Sequence, residues 1–205
     1  MDVVCLDLEG VLVPEIWIAF AEAAGIPEFR RTTRDEPDYD RLMRFRIDLL
    51  ERHGLKLPDI QRVIGGMDPL PGAVEFCAKL RARTQLIILS DTFEQFARPL
   101  MAKLGYPTLF CNRIAAGEDG RVTGYRLRQG DGKRRAVAAL RSLNMRVFAA
   151  GDSFNDLNMI NEADGGCLFR APDRIRLDYP DIPREEDFDG LLERIEGFLA
   201  DPAAG

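Results

Sequence analysis

The fold is decided by the stretch Val3-Val4-Cys5-Leu6-Asp7-Leu8-Glu9-Gly10-Val11-Leu12, in which an apolar run leads directly into two acids. Such a run predicts a strand buried on both faces of a parallel sheet. Asp7 would then lie at the carboxyl end of this strand, which is the edge where open α/β sheets bind ligands. A carboxylate at that edge can be a nucleophile, a metal ligand or both.

Two further apolar runs end in polar side chains. Residues 86–89 are followed by Ser90-Asp91-Thr92, and residues 147–150 are followed by Gly151-Asp152-Ser153-Phe154-Asn155-Asp156. Since the carboxyl ends of parallel strands meet at one edge of the sheet, these groups are predicted to lie together. Three strands that deliver oxygen-bearing side chains to one edge predict a functional site.

Each acidic motif also has a structural interpretation. Asp7 and Glu9 could serve only to form a turn, and Asp152, Asn155 or Asp156 could cap the helix that follows them. Capping accounts for one or two such residues, but less well for three around a glycine turn. Mg²⁺ prefers hard oxygen ligands, and Asp7 and Asp152 on two strand ends would supply them.

Composition argues against several classes of function. The chain has 205 residues with 46% hydrophobic content, which suits one domain or one domain with an insertion. A net charge of −6 without a basic block argues against nucleic-acid binding. The first Lys or Arg is Arg30 and no long apolar stretch occurs, so we expect neither a secretory signal nor a membrane span. We expect a small-molecule partner, and a monomer or homodimer.

Cysteine and histidine usage narrows the chemistry further. The four cysteines are far apart in sequence and form no Cys-x-x-Cys, which predicts free thiols in a reducing compartment, the cytoplasm, and no zinc site. His53 is the single histidine, so a Ser-His-Asp triad or a Cys-His pair would have to use it. The chemistry is therefore expected to rely on carboxylates, hydroxyls, Lys and Arg.

The order of predicted elements indicates a parallel α/β sheet with a helical insertion. After the first strand, residues 3–8, only helices are predicted before residue 71, at 14–24, 38–53 and 58–64. From residue 71 helices and strands alternate, as in a parallel sheet. The predicted elements there are helix 71–83, strand 86–90, helix 93–104, strand 108–111, a hairpin turn at 117–120, helix 133–143, strand 146–150, helix 155–163, strand 166–169 and helix 184–199. We predict a core of residues 1–13 and 71–205, and a helical cap domain of residues 14–70 that can act as a lid.

Three side chains outside the acidic motifs are candidates for ligand binding. Ser90 could cap the next helix or donate to a phosphate oxygen. Lys133 begins a helix, where a cation opposes the helix dipole; a phosphate or carboxylate partner would explain it, and a solvated lysine is the alternative. Arg46 falls between Leu42 and Leu50 on the apolar arc of its helix. It must face a polar cavity, form a buried ion pair or extend its head group to water.

Together, these motifs resemble those of the haloacid dehalogenase superfamily of phosphohydrolases. Residues 7–12 match its first motif except at Glu9, Ser90 matches the second, Lys133 the third, and residues 151–156 the fourth. The match covers the whole chain and keeps the order of the motifs. The resemblance implies a Rossmann-like parallel sheet core, a Mg²⁺ cofactor, and phosphoryl transfer through an aspartyl phosphate.

Within that superfamily, the helical insertion resembles the cap of phosphoserine phosphatases. Their cap helix carries an Arg for the substrate carboxylate, which Arg46 matches. Glu15 lies near the position of their ammonium-binding acid, although its spacing from Asp7 is one residue short. The chain departs from the usual motifs of phosphoserine phosphatases in two places, at Glu9 and at Asp91-Thr92 after Ser90. Both departures resemble the bifunctional phosphoserine phosphatase/homoserine phosphotransferase branch.

The resemblance also implies a role for each site residue. It implies that Asp7 is the nucleophile and Glu9 the general acid and base, and that Mg²⁺ is held by Asp7, Asp152 and the Glu9 carbonyl. The phosphoryl group and its side of the substrate would be bound by Ser90, Lys133, Asp91 and Asn155. The amino acid would be bound by Arg46 and Glu15, and Asp156 would support the metal shell or Lys133. Three other interpretations stay open from the sequence: a phosphatase of another small phosphometabolite, a non-catalytic relative, and a signalling receiver module phosphorylated on Asp.

Overall fold

The computed structural model describes residues 1–33, 35–36 and 38–201, and in them seven strands form one sheet of order β4-β3-β2-β1-β5-β6-β7. Neighbouring strands are parallel except for β3 and β4, which form an antiparallel hairpin. The strands are β1 Asp2–Leu6, β2 Gln85–Phe93, β3 Thr108–Ala116, β4 Val122–Arg126, β5 Arg146–Gly151, β6 Gly165–Phe169 and β7 Arg184–Glu185. The predicted α/β class with a parallel sheet core is confirmed.

Helices cover both faces of the sheet. They are α1 Ile16–Ala24, α2 Tyr39–Arg52, α3 Leu57–Gly66, α4 Ala73–Arg81, α5 Glu94–Lys103, α6 Gly132–Ser142, α7 Leu157–Glu162, α8 Asp173–Asp178 and α9 Phe188–Ala200, with 3₁₀ turns at Pro27–Arg30 and Phe154–Asp156. Because side chains alternate along a strand, Val4 and Leu6 of β1 pack in one core layer, and Val3 and Cys5 pack in the other. This double coverage explains why the first strand reads as a continuous apolar run.

Some predicted boundaries were wrong. The predicted helix 184–199 begins late, because Arg184–Glu185 pairs with β6 and the Asp187 side chain then caps α9 by accepting the Gly190 N–H at 2.9 Å. The short helix α8 was not predicted. Predicted helix 155–163 is a 3₁₀ turn followed by α7, and β3 continues five residues beyond the predicted 108–111. A two-residue strand and a six-residue helix are too short to carry a periodic pattern.

The segment between β1 and α4 contains the predicted helices, α1 to α3, and rests on the β3–β4 hairpin. The Leu57 N–H donates to the Gly120 carbonyl at 2.9 Å, and the Tyr125 hydroxyl donates to the Asp40 carboxylate at 2.7 Å. These contacts fix α2 and α3 against the hairpin, and the Tyr39 hydroxyl at the start of α2 donates to the Asp91 carbonyl of β2 at 3.3 Å. The division of the chain into a core and a cap domain remains a prediction.

All four cysteines are free thiols, and Cys5, Cys77 and Cys167 are buried. Within residues 1–33, 35–36 and 38–201, no helix has the length and apolar character that crossing a membrane requires.

Candidate active site

Three adjacent strands bring the acidic motifs together. β1 lies between β2 and β5, so Asp7, Ser90 and Asp152 come from neighbouring strand ends. The Asp7 N–H donates to the Ala150 carbonyl at 3.0 Å, which fixes the first motif against β5. Asp7, Ser90 and Asp152 are all buried, as residues of a recessed site should be.

Lys133 lies at the centre of this cluster. Its side chain is only 5% exposed, and its ammonium lies 2.9 Å from Asp7 Oδ1, 2.7 Å from Asp156 Oδ1 and 3.9 Å from Asp91 Oδ2. Burial opposes the charged form of Lys133, but the charges of Asp156, Asp7 and Asp91 outweigh this effect and raise its pKa well above the ordinary value. The alternative of a solvated lysine is therefore wrong.

Asp156 holds Lys133 and the loop after β5 in place. It is fully buried, and its Oδ2 accepts the N–H groups of Asp152 at 3.1 Å and Ser153 at 3.0 Å and the Ser153 hydroxyl at 2.9 Å. Gly151 is required beside it, because a Cβ there would overlap the Asp156 carboxylate. Since its oxygens already accept these bonds and the one from Lys133, Asp156 suits a supporting role better than metal coordination.

Asp7, Asp152 and Asp156 form a buried acidic cluster whose carboxylate oxygens lie within 4.8 Å of one another. Burial, together with the charge of Asp156, raises the pKa of Asp152 to about 7 and also raises that of Asp7. Three carboxylates against one lysine leave an excess of negative charge, which a divalent cation would neutralise. Gly10, with φ of 79°, lets the first loop close directly over the Asp152 carboxylate.

Glu9 points toward the start of α1. Its Oε2 accepts the Ile16 N–H at 2.9 Å, so the first turn of the helix fixes the carboxylate. Burial and the nearby charge of Glu15 raise the pKa of Glu9 to about 7, although the Ile16 N–H, the Thr92 side chain and the charge of Arg46 act in the opposite direction. A carboxyl group with this pKa can both donate and accept a proton near neutral pH.

Arg46 faces the site as a buried guanidinium with incomplete hydrogen bonding. It lies over the Trp17 ring at 4.5 Å and donates to the Arg31 carbonyl at 2.8 Å, while its Nε has no partner among the residues that the structure describes. Burial lowers its pKa to about 10, and the charges of Tyr39, Glu9 and Glu15 act against this shift. Among the described residues no carboxylate lies within ion-pair distance of Arg46, so a buried ion pair does not account for it. Because the side chain is buried, an extension of its head group to water does not account for it either.

Asp91 joins the second and fourth motifs. Its carboxylate accepts the Asn155 side-chain N–H at 3.0 Å, and its backbone carbonyl accepts the Tyr39 hydroxyl at 3.3 Å and the Asn112 amide at 3.0 Å. Ser90 does not cap α5, because that helix begins at Glu94 and its Oγ instead accepts the Thr92 N–H at 3.2 Å.

The structure brings together every predicted site residue, and it adds three that were missed. Glu15 is exposed at the start of α1, but its charge acts on both Glu9 and Asp152. The missed residues are Trp17, Tyr39 and Thr92. Tyr39 could have been found, because it lies seven residues before Arg46 and so shares its face of α2.

Comparison with known proteins assigns the family. Residues 7–161 match the model of the haloacid dehalogenase-like hydrolase family, and the chain belongs to this family. A phosphoserine phosphatase of Pseudomonas syringae pv. tomato is 56% identical, over 93% of this chain and 81% of its own. A protein of Pseudomonas aeruginosa named phosphoserine phosphatase ThrH is 54% identical, over 93% of each chain. The solved complex of a phosphoserine phosphatase with substrate has the same fold, with a TM-score of 0.77 at 22% identity over 94% of this chain and 97% of its own.

Proposed function

We propose that this chain is a Mg²⁺-dependent phosphoserine phosphatase that acts through an aspartyl phosphate on Asp7. The observation that carries the proposal is the buried pair of Asp7 and Lys133, together with a buried Arg46 guanidinium that has no ion-pair partner among the described residues and whose charge acts on Glu9. The first two groups suit phosphoryl transfer, and Arg46 suits a carboxylate on the same substrate. The relatives named phosphoserine phosphatase, at 54–56% identity, support the same substrate. The match to the haloacid dehalogenase-like hydrolase family supports a hydrolase rather than a signalling receiver module.

The chemistry of the acidic cluster fits Mg²⁺. Asp7, Asp152 and the backbone carbonyl of Glu9 would hold the ion, and their hard oxygens are the ligands it prefers. Burial first, and the charge of Asp156 second, raise the pKa values of Asp7 and Asp152, and a bound cation would favour the charged form of both carboxylates. When bound, the ion neutralises charge on the phosphoryl oxygens.

Four residues of the chain would carry out the two steps of the reaction, formation of the aspartyl phosphate and its hydrolysis. A carboxylate oxygen of Asp7 forms a bond to phosphorus while the bond from phosphorus to the serine oxygen breaks, and Glu9 protonates that oxygen. Glu9 then takes a proton from water, which attacks phosphorus and breaks the bond to Asp7, so that phosphate is released. Lys133 and Ser90 donate to the phosphoryl oxygens throughout.

Recognition of the amino acid would come from the helical segment above the strands. Arg46 would bind the carboxylate through its guanidinium fork, and Glu15 the ammonium group. Asp91 and Asn155 are already joined by a hydrogen bond at the phosphoryl end, and they would fix the substrate on that side.

Asp7→Asn should remove nearly all release of phosphate from phosphoserine, because an amide is a poor nucleophile. Asp173→Asn makes the same chemical change at an aspartate whose side chain is 90% exposed, and it serves as the matched control. Phosphate release is measured with Mg²⁺ and with EDTA. If Asp7→Asn keeps even about a tenth of the wild-type rate, the nucleophile is another residue.

We further propose that the phosphoenzyme can pass its phosphoryl group to homoserine. Homoserine is longer than serine by one methylene, a difference that a pocket discriminates by only about 1–3 kcal/mol. Phosphorus NMR of phosphoserine with homoserine should show O-phosphohomoserine beside inorganic phosphate. Inorganic phosphate alone at saturating homoserine would reduce the function to hydrolysis.

A further inference from the structure

A cleft of about 460 Å³ lies at the edge of the sheet, outside the residues of the candidate active site. β3 pairs with β2 through residues 108–112, but with β4 only from Arg113 onward. In the described part of the chain, the first half of β3 therefore has an open edge. Half-buried Leu109, Phe110 and Cys111 line the cleft from this strand.

Three arginines give the cleft its charge. Arg113 pairs with Glu94 at 2.7 Å, and the Arg128 guanidinium lies over the Phe110 ring at 5.2 Å. No carboxylate of the described residues lies within ion-pair distance of Arg126 or Arg128. The cleft therefore carries about two unmatched positive charges, in a chain whose net charge is −6.

The position of Arg126 suggests a ligand. It lies directly opposite Arg113 in the antiparallel ladder of β3 and β4. Like charges directly opposite each other destabilise such a pair of strands, and Glu94 offsets only part of this cost because Arg98 also lies 3.8 Å from its carboxylate. An anion between the two guanidinium groups would remove this cost.

We propose that this arginine cleft, lined by Glu94, Phe110, Arg113, Arg126 and Arg128, binds a small phosphorylated or carboxylated molecule that has a flat apolar portion. Guanidinium forks match the geometry of phosphate and carboxylate groups. The apolar portion would pack against the half-buried side chains of β3, and the volume suits a small-molecule site.

The cleft lies next to the candidate active site and is connected to it by hydrogen bonds, but none of the proposed catalytic residues lines it. The Arg128 N–H donates to Asn112 Oδ1 at 3.0 Å, and the Asn112 amide donates to the Asp91 carbonyl at 3.0 Å. A second cavity of about 10 Å³ is lined by Arg128 and Asn112 on one side and by Ser90 and Lys133 on the other. The inference does not depend on the proposed function, because binding in the cleft is measured without turnover.

A second copy of the chain is the competing occupant of an open strand edge. Pairing of two such edges about a two-fold axis would bring the unmatched arginines of both copies to one interface, and their repulsion favours the small anion instead.

Calorimetric titration of the protein in EDTA with 1-naphthylmethylphosphonate tests the proposal. Its carbon–phosphorus bond resists phosphatases, and without a cation the excess negative charge of the acidic cluster disfavours anions there. Methylphosphonate, which lacks the ring, should bind at least about tenfold more weakly if the apolar wall contributes. Arg126→Ala should weaken naphthyl binding about tenfold or more, while Arg62→Ala, at an exposed arginine of α3, should not.

Arg126→Glu distinguishes a loss of ligand binding from a loss of structure, because the two effects are expected to have opposite signs in this variant. It should abolish binding of the probe and raise the thermal midpoint, because a glutamate opposite Arg113 replaces repulsion by attraction. Equal affinity in wild type, Arg126→Ala and Arg126→Glu, or no binding to wild type, would overturn the proposal. So would a lower midpoint of Arg126→Glu, or a wild-type dimer in sedimentation that this substitution dissociates.

Discussion

Arg46→Met tests whether Arg46 selects the substrate. Methionine keeps an unbranched apolar side chain against Trp17 and removes only the guanidinium, whereas alanine would also leave a cavity. The Arg31 carbonyl loses its donor, so the variant should be less stable by about 1 kcal/mol. Activity is therefore compared well below the midpoint of unfolding.

The size of the effect follows from the unpaired atoms of Arg46. Its Nε is buried and has no partner in the described part of the chain, so a substrate carboxylate can accept the hydrogen bond that this N–H does not make there. Loss of a bidentate, charge-assisted contact should cost about 2–4 kcal/mol in kcat/KM for phosphoserine. At about 1.4 kcal/mol for each factor of ten, this is a decrease of roughly 30- to 700-fold.

The assay compares phosphoserine with p-nitrophenyl phosphate, which has no α-carboxylate. The charge of Arg46 also lowers the pKa of Glu9, an effect that both substrates share, so the ratio of the two kcat/KM values isolates recognition. Arg44→Met, at a 75% exposed arginine of the same helix, is the matched control and should leave the ratio unchanged. If Arg46→Met lowers kcat/KM equally for both substrates, Arg46 is structural and the substrate assignment rests on the relatives alone.

Two further predictions concern the buried charges. Lys133→Met leaves Asp7 and Asp156 as neighbouring buried carboxylates without their cation, so the free energy of unfolding in urea should fall by about 3–5 kcal/mol; an unchanged urea midpoint would contradict the assigned ion pairs. Asp152, whose pKa rises from 3.8 to about 7 on folding, makes the native state bind more protons than the unfolded chain between those values. The thermal midpoint in EDTA should therefore fall as the pH rises through about 4 to 7, and Asp152→Asn should flatten this fall. A wild-type profile that matches the variant would show that Asp152 titrates normally.

The sequence was sufficient wherever a local pattern had a single physical explanation. The run Val3–Leu6 predicted a strand, and the acids after it could only fall at the carboxyl edge of the sheet. Arg46 was identified because a guanidinium on an apolar arc needs a partner or a cavity. Lys133 was identified because a cation at a helix start opposes the dipole.

What the sequence could not supply were contacts between distant segments. The hydrogen bond from Tyr39 to Asp91 joins residues that are 52 positions apart, so no local sequence pattern predicts it. The strand Arg184–Glu185 exists because β6 offers an edge, since two residues have no periodicity of their own. The arginine cleft likewise depends on the register of β3 and β4, which places Arg113 opposite Arg126.

The structure gives a physical reason for the unusual Glu9. Its carboxylate lies at the first N–H of α1, where the positive end of the helix favours a negative charge. An aspartate is one methylene shorter and would not reach this N–H from the same backbone position. Because α1 begins the segment predicted to be the cap, one hydrogen bond joins Glu9, the proposed proton-transfer group, to that predicted cap. Movement of that cap would then change the position of Glu9, so binding of an acceptor and its deprotonation are expected to be coupled.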